Sequence, residues 1–294
     1  MRLLALTALL LVPLAGCLGG GGGDGDPTSS PRPTTTTTGP SPPPDMPLRI
    51  PLLVDFSFGD CSGLTVLQSQ PLADMQGLLP EPFVAAPFPL LSGQPENQGV
   101  LAFDLYACAN FTAAGTVVPD TFYGQLYTFV ERPGDLVPEA PETFAQEYVF
   151  RVLAGEDVLG LLWAYAGYDT HNGTASVQVL GSPPAPLRLV QAAAGDYAAE
   201  ASATDNPLMP GSIVTPFARY ALRTDGNLLY WTGEYDFPTA FLGTGDVTVP
   251  DDDAFAPFRS PLGNLGGVAL TYEGGAVRSN DLTLILNGPL TAPA

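Results

Sequence analysis

Apolar and other side chains alternate with a period of two residues, and this feature most constrains the fold of the chain. Leu101, Phe103 and Leu105 fall on one face of a predicted strand. Asp104 and Tyr106 fall on the other face. The same pattern occurs in residues 100–108, 122–130, 144–153, 217–223 and 228–235. Gly, Pro, Asn and Asp separate these stretches, so the sequence predicts an α+β fold dominated by strands, with a curved antiparallel sheet or barrel and one or two covering helices.

Two stretches depart from this pattern and predict helices. Residues 71–79 place apolar side chains at helical spacing and end at Pro80. Residues 157–168 also place apolar side chains on one helical face.

Two turns predict hairpins. Thr224-Asp225-Gly226-Asn227 contains an Asp-Gly pair, which supplies the positive φ angles that a tight turn requires. Glu273-Gly274-Gly275 predicts a second hairpin, which would join residues 268–272 to residues 276–286.

The amino-terminal segment has the composition of a signal peptide. Arg2 supplies a positive charge, and residues 3–14 are apolar but fall short of the roughly 20 residues that span a bilayer. The following Leu14-Ala15-Gly16-Cys17 resembles the lipobox of prokaryotic lipoproteins, in which the cysteine thiol carries a lipid. The resemblance implies a signal peptide over residues 1–16 and lipidation of Cys17. An ordinary secretory signal, cut just before an incidental cysteine, is the alternative.

Residues 17–47 are predicted to form a disordered linker. They consist of Gly, Asp, Thr, Ser and Pro with almost no apolar side chains, so they cannot bury enough surface to offset the entropy of ordering. Residues 48–294 fall in the size range of a single β-rich domain, with two smaller units as the alternative. The predicted location is the cell surface, where the lipid would attach the protein to the outer face of the cytoplasmic membrane.

The charge balance restricts the partners. The chain has 30 Asp and Glu against 10 Lys and Arg, a net charge of −20, and all ten basic residues are arginine. Such an acidic surface repels phosphate backbones, which argues against a nucleic-acid partner. The excess of Asp without Lys resembles proteins of salt-loving archaea, in which concentrated salt screens the charge. A genome of high GC content would explain the missing lysine but not the acidity.

The cysteines and two sequons predict covalent modifications. With Cys17 lipidated outside the cell, Cys61 and Cys108 remain to form a disulfide. Two buried thiols that merely pack are the alternative. Glycosylation sequons begin at Asn110 and Asn172, at a predicted strand end and a predicted turn.

Part of the chain resembles the acetoacetate decarboxylase-like barrel proteins. LADMQGLLPEPFV, residues 72–84, is similar to the segment in which that family's short helix ends in a Leu-Pro turn before the first paired strand. LAFDLYACAN, FYGQLYTFVERP and EYVFRVL resemble the family's succession of barrel strands, so the resemblance covers residues 71–180. The family's decarboxylase works through a Schiff-base lysine. Because this chain has no lysine, no functional residue transfers to it, and the resemblance implies the barrel without that chemistry or with another use of its cavity.

The hairpin around residues 224–227 carries the candidate catalytic residues. Glu234 and Asp236 lie two residues apart on one strand and so share a face, where they could act as acid and base. Arg219 and Arg223 share a face of the partner strand. Cross-strand ion pairing is therefore the alternative for all four side chains.

The sequence gives less support to a catalytic histidine, a metal site or a cofactor site. His171 is the single histidine and is predicted to lie in an exposed turn, and Asp251-Asp252-Asp253 is predicted to be a solvated loop because the Gly and Glu of an EF-hand are missing. No zinc ligand set, P-loop or pyridoxal phosphate lysine is present, so neither a metal nor a cofactor is predicted. Six aromatic residues could line a ligand cavity or form core: Trp163, Tyr165, Tyr168, Tyr230, Trp231 and Tyr235.

The sequence as a whole predicts a membrane-anchored, extracytoplasmic lipoprotein whose β-rich domain binds a small ligand or an envelope partner without catalysis. The alternative is a decarboxylase-like or hydrolytic enzyme that uses cavity carboxylates and arginines without a Schiff-base lysine. A purely structural envelope protein is a third hypothesis. The enzyme hypothesis requires the candidate carboxylates or arginines to point into the protein interior.

Overall fold

The described chain forms a sheet of fourteen strands accompanied by one α-helix. The computed structural model describes residues 48–88, 97–113, 115–137, 140–141, 145–154, 163, 166–168, 170–172, 175–180, 187–207, 213–258, 267–279 and 281–286. The strands are β1 (Leu48–Val54), β2 (Ser57–Pro71), β3 (Gln98–Ala113), β4 (Thr116–Phe129), β5 (Ala145–Ala154), β6 (Thr170–Asn172), β7 (Ala175–Leu180), β8 (Leu187–Ala194), β9 (Tyr197–Pro207), β10 (Ile213–Leu222), β11 (Leu228–Phe237), β12 (Thr239–Thr248), β13 (Gly267–Ser279) and β14 (Asp281–Leu286). The helix α1 spans Leu72–Leu78, and 3₁₀ turns lie at Gly134–Leu136 and Ala256–Phe258. The predicted class, α+β dominated by strands, is confirmed.

Seven of the strands close into a barrel. Around the ring, β2, β3, β4, β5, β10, β11 and β13 pair in that order, and β13 pairs with β2 to complete it. Neighbouring strands of the ring are antiparallel except β5 and β10, which run parallel. Closure gives each of these strands one face toward the barrel interior and one face outward.

The outer face of the barrel is also covered. Strands β12, β9, β8 and β7 extend the sheet from β13, and β7 and β8 come back into contact with β3. On β3, Leu101, Phe103 and Leu105 pack in an outer core, whereas Ala102 and Tyr106 pack in the barrel interior. Both faces of this strand are therefore buried, which the alternation alone did not reveal.

Two local predictions are confirmed. The helix predicted over residues 71–79 is α1, whose Met75 is buried and packs against β3. The turn at residues 224–227 joins β10 to β11, with a positive φ of 79° at Gly226. The helix predicted over residues 157–168 lies largely outside the described residues.

The second predicted hairpin is wrong. Strand β13 runs without a reversal through Gly274 and Gly275, and β14 begins at Asp281. The register with β2 shifts on either side of Gly275, and Gly274 has a φ of +63°, so the glycine pair forms a bulge. A Cβ atom at Gly275 would overlap the Phe237 ring. Glycine thus serves here for close approach to a ring and for bending a strand.

A disulfide joins Cys61 to Cys108, as predicted. The two cysteines lie directly opposite each other on β2 and β3, with their Cα atoms 4.0 Å apart. No helix among the described residues combines the length and the hydropathy needed to cross a membrane.

Candidate functional site

Polar and charged side chains gather inside the barrel. Thr65, Asp104 and Gln125 lie directly opposite one another on three neighbouring strands, so the pleat turns them to the same face. Glu147 lies opposite Arg219 in the parallel pair of β5 and β10. All five side chains are buried. We call this group the barrel cluster, which also includes Tyr106, Tyr123, Tyr127 and Tyr235.

Asp104 is surrounded by hydrogen-bond donors. Thr65 donates to Oδ1 at 2.7 Å, and Tyr127 donates to the same oxygen at 3.4 Å. Gln125 Nε2 donates to Oδ2 at 3.0 Å, and the Tyr235 hydroxyl donates to it at 2.9 Å. Donors on both oxygens stabilise the ionised carboxylate.

Arg219 is the cation of the barrel cluster. Its Nε donates to Glu147 Oε2 at 2.7 Å, and its Nη2 lies 3.9 Å from Asp104 Oδ2. Its Nη1 donates to the Tyr123 hydroxyl at 3.3 Å. The guanidinium carbon lies 3.9 Å from the centre of the Phe217 ring. One guanidinium is thus shared between two buried carboxyl groups and stacked on an aromatic face.

Burial perturbs both carboxyl groups. Removal from water raises the pKa of Asp104 to about 6, although Arg219 and the hydrogen bonds of Thr65, Gln125 and Tyr127 oppose the rise. Removal from water likewise raises the pKa of Glu147 to about 7, again against the attraction of Arg219. The two groups therefore titrate near neutral pH, where a carboxyl can act as either acid or base.

Three buried polar atoms beside the barrel cluster have no hydrogen-bond partner among the described residues: Arg219 Nη2, Trp163 Nε1 and the Tyr168 hydroxyl. Their side chains surround Trp231. Its ring centre lies 5.9 Å from the Arg219 guanidinium carbon, 6.0 Å from the Trp163 ring and 5.7 Å from the Tyr168 ring. Buried donors are nearly always paired in proteins, so this group is a candidate binding site for an acceptor.

The structure separates the four predicted catalytic candidates. Arg219 lies inside the barrel, whereas Glu234 and Asp236 lie on its outer face and bind Arg278 at 2.9 Å and 3.0 Å. Arg223 binds Asp225 at 3.1 Å. The pairing of Arg219 and Arg223 with Glu234 and Asp236 that the sequence offered as an alternative is not formed. The reason is register: Arg219 lies opposite Trp231, so it shares a face with odd-numbered residues of β11.

Several other predicted sites have definite places. His171 belongs to the short strand β6, which pairs with β5, so the predicted turn is wrong at this position. Asn110 lies within β3 and is partly exposed, and Asn172 ends β6. Of the aromatic residues, Trp163, Tyr168, Trp231 and Tyr235 pack in the barrel interior, and Tyr230 packs in the outer core. Tyr165 lies outside the described residues.

The predicted solvated loop contains one buried carboxylate. Asp251 and Asp252 are exposed, but Asp253 is buried and forms a salt bridge with Arg151. The Tyr197 hydroxyl also donates to Asp253. Within the described stretches, no three His, Cys, Asp or Glu side chains are grouped closely enough to hold a metal ion.

An open groove of about 420 Å³ lies away from the barrel cluster, on the sheet formed by β7, β8, β9 and β12. Gln178, Gln191, Glu200 and Asp246 form a row of directly paired residues across it. Gln191 donates to Glu200 at 2.7 Å, and this contact is exposed. The groove therefore resembles an ordinary polar sheet surface, and the barrel cluster is the stronger candidate site.

The sequence reasoning missed Asp104 and Glu147. The pattern placed Asp104 on the face of its strand opposite Leu101, Phe103 and Leu105, yet its neighbours on that face, Ala102 and Tyr106, are apolar or aromatic. Glu147 likewise shares a face of β5 with Ala145 and Val149. A strand carboxylate whose neighbours on the same face are apolar or aromatic indicates a buried charge. This signal could have identified Asp104 and Glu147.

Comparisons with known proteins give likenesses of overall fold. No known protein family matches the chain, and no curated protein sequence matches it. An acetoacetate decarboxylase structure matches with a TM-score of 0.48 and 10% identity, over 79% of this chain and 88% of that one. The enduracididine biosynthesis enzyme MppR, complexed with the condensation product of pyruvate and imidazole 4-carboxaldehyde, matches with a TM-score of 0.48 and 10% identity, over 81% and 90%. An acetoacetate decarboxylase-like enzyme from Sphingomonas wittichii RW1 matches with a TM-score of 0.39 and 13% identity, over 82% and 94%.

Proposed function

We propose that the barrel interior binds a small organic anion whose carboxylate contacts Arg219. The observation that carries this proposal is Arg219 Nη2, a buried and charged donor without a hydrogen-bond partner in the described structure. Leaving a buried donor unpaired costs about 1–3 kcal/mol, and more for a charged group. A carboxylate would supply acceptors to Nη2 and to the neighbouring Trp163 Nε1 and Tyr168 hydroxyl.

Aromatic rings around Arg219 restrict the rest of the ligand. The guanidinium carbon lies 3.9 Å from the Phe217 ring centre, 5.0 Å from that of Tyr235 and 5.9 Å from that of Trp231. A planar guanidinium fixed in this way presents its Nη2 group to a carboxylate in a defined direction. The atoms next to the ligand carboxylate would contact these rings, so a small acid with an apolar or aromatic body fits the site best.

Calorimetric titration of the detergent-solubilised full chain with acetate and benzoate tests this proposal. We expect benzoate to bind the wild type more tightly than acetate, and Arg219→Gln to weaken binding at least tenfold. Arg278→Gln removes an exposed arginine of the outer face and is the matched control, for which binding should be unchanged. If neither acid binds the wild type, or if Arg219→Gln binds equally well, the proposal is wrong.

A second variant protects the test against misfolding. Tyr168→Phe keeps the ring that packs on Trp163 and Trp231 but removes one unpaired hydroxyl. Because the hydroxyl has no partner in the described protein, this change should leave the fold intact and weaken binding of the acid. Near-ultraviolet circular dichroism checks the packing of the aromatic residues in each variant.

Acid–base catalysis in the same site is the second candidate function. It is favoured by Asp104 and Glu147, whose pKa values of about 6 and about 7 suit proton transfer near neutral pH. The corresponding reaction class is proton transfer or decarboxylation next to a carbonyl group, without a Schiff base. Incubating acids that bind with the protein in D₂O, and following deuterium incorporation and loss of carboxylate by NMR, tests it. If the wild type exchanges or decarboxylates a bound acid and Glu147→Gln does not, the protein is an enzyme and not only a binding protein.

The proposed place of action is the outer face of the cytoplasmic membrane, with attachment through a lipid on Cys17. The Leu14-Ala15-Gly16-Cys17 motif and the linker composition of residues 17–47 support this location. Labelling growing cells with a radioactive fatty acid tests it, because a Cys17→Ser variant should lose both the label and membrane association. Equal labelling of the variant would contradict the proposal.

A further inference from the structure

The charges inside the barrel do not balance when every group is ionised. Arg219 faces two carboxyl groups, with Nε 2.7 Å from Glu147 Oε2 and Nη2 3.9 Å from Asp104 Oδ2. The side chains of all three residues are at most 3% exposed. A further anion at Arg219 would place three negative charges around one positive charge in a buried region, where bulk solvent screens them little. Such an arrangement favours protonation of one carboxyl group.

The hydrogen bonds show which carboxyl group can take the proton. Thr65 and Tyr127 donate to one oxygen of Asp104, and Gln125 and Tyr235 donate to the other. A proton on Asp104 would displace one of these donors. The closest contact of Glu147 is the Nε group of Arg219, and Oε2 can still accept this hydrogen bond when the proton sits on Oε1. Glu147 is therefore the carboxyl group that loses least by becoming neutral.

The other titratable groups around Glu147 support this assignment. Four such groups interact with Glu147 from β10, β3 and β4: Arg219, Asp104, Tyr123 and Tyr127. Tyr235 bonds to Asp104, and Tyr168 packs on Trp163 and Trp231. Burial raises the pKa of Tyr123, Tyr127 and Tyr168 above the ordinary value of 10. These three tyrosines stay neutral below pH 9, and Glu147, whose pKa is about 7, has the higher pKa of the two carboxyl groups.

We infer that binding of an organic anion at Arg219 is coupled to the uptake of one proton by Glu147. The inference rests on the proposed function, since it concerns the same site and the same ligand class. One proton would then enter the site with each ligand anion, and the ligand would be released when the surrounding pH rises. This makes the barrel a binding site regulated by pH, with Glu147 as its titrating residue.

Calorimetry of benzoate binding to the full chain in bis-tris, triethanolamine and Tris buffers measures the coupling, because these buffers differ in ionisation enthalpy. We expect uptake of about one proton per benzoate at pH 8, falling toward zero at pH 5.5. The dissociation constant should rise about tenfold per pH unit above pH 7. Glu147→Gln should bind benzoate without proton uptake and with little pH dependence, while Glu234→Gln, an exposed residue, should behave as wild type.

The outcomes separate this inference from the proposed function. Binding of benzoate to the wild type without proton uptake would overturn the coupling and leave the anion site standing. Absence of benzoate binding at every pH would overturn both. The number of protons that the wild type takes up per benzoate tests the coupling by itself. The test therefore stands even if the Glu147→Gln variant fails to fold.

Discussion

Replacement of Glu147 by glutamine should make the protein more stable at alkaline pH. The Glu147 carboxyl has a pKa of about 7 in the folded protein and an ordinary value of 4.5. Between these values the folded state keeps a proton that the unfolded chain has released, so the free energy of unfolding falls as pH rises. At 1.36 kcal/mol per pH unit, the buried carboxyl costs about 3 kcal/mol by pH 8. Glutamine has nearly the same shape and no charge, so it removes this cost.

Urea unfolding of the wild type and Glu147→Gln between pH 5 and pH 8, at constant salt, measures the effect. The difference in unfolding free energy should grow by about 2.5 kcal/mol across this range in favour of the variant, because the unfolded carboxyl has lost most of its proton by pH 5. Asp104 also titrates in the barrel, but both proteins contain it, so its contribution largely cancels in the difference. Glu234→Gln removes a carboxylate on the outer face of the barrel and is the control, which should not reproduce this gain. Parallel curves for wild type and Glu147→Gln would refute the reasoning.

Three further predictions concern the rest of the chain. Reducing the disulfide between Cys61 and Cys108 should lower the unfolding free energy by about 4 kcal/mol, and an unchanged urea midpoint would contradict this. Asp253→Asn should lower it by about 3 kcal/mol because Arg151 loses its buried partner, while the exposed Asp252→Asn should have little effect. Thermal stability should rise steeply between low and molar salt, given the net charge of −20, and a flat response would exclude adaptation to salt.

Much of the fold could be predicted because local chemistry specifies it. The period of two gave the strands β3, β4, β5, β10 and β11, and the Asp-Gly pair located the turn between the last two. The pair Gly274-Gly275 was misread, because glycine permits a bulge as readily as a turn. Which of the two forms depends on the Phe237 ring, which lies on another strand and has no local signal.

The candidate site was harder to predict, because the members of the barrel cluster come from six strands that only closure of the ring brings together. Arg219 was identified as a candidate, but with the wrong partners. Which residues of β11 share its face depends on the register, which is counted from the turn. Asp104 and Glu147 were not identified as site residues, because alternation shows that the two faces of a strand differ without showing that both are buried. The unpaired Arg219 Nη2 is a three-dimensional property that spacing cannot express.

The place of β13 in the ring has a consequence for how the chain is made. Its pairing with β2 brings Val268 opposite Leu67, about 200 residues apart, and its pairing with β11 completes the ring. A ribosome or a translocation channel delivers residues 267–279 after the six other strands of the ring, so until then β13 cannot pair with β2 and β11. Contacts of such long range make folding slow, and exposed strand edges favour aggregation. A nascent chain stalled before Gly267 should therefore remain sensitive to protease in its barrel strands, and resistance should appear abruptly once Ser279 has emerged.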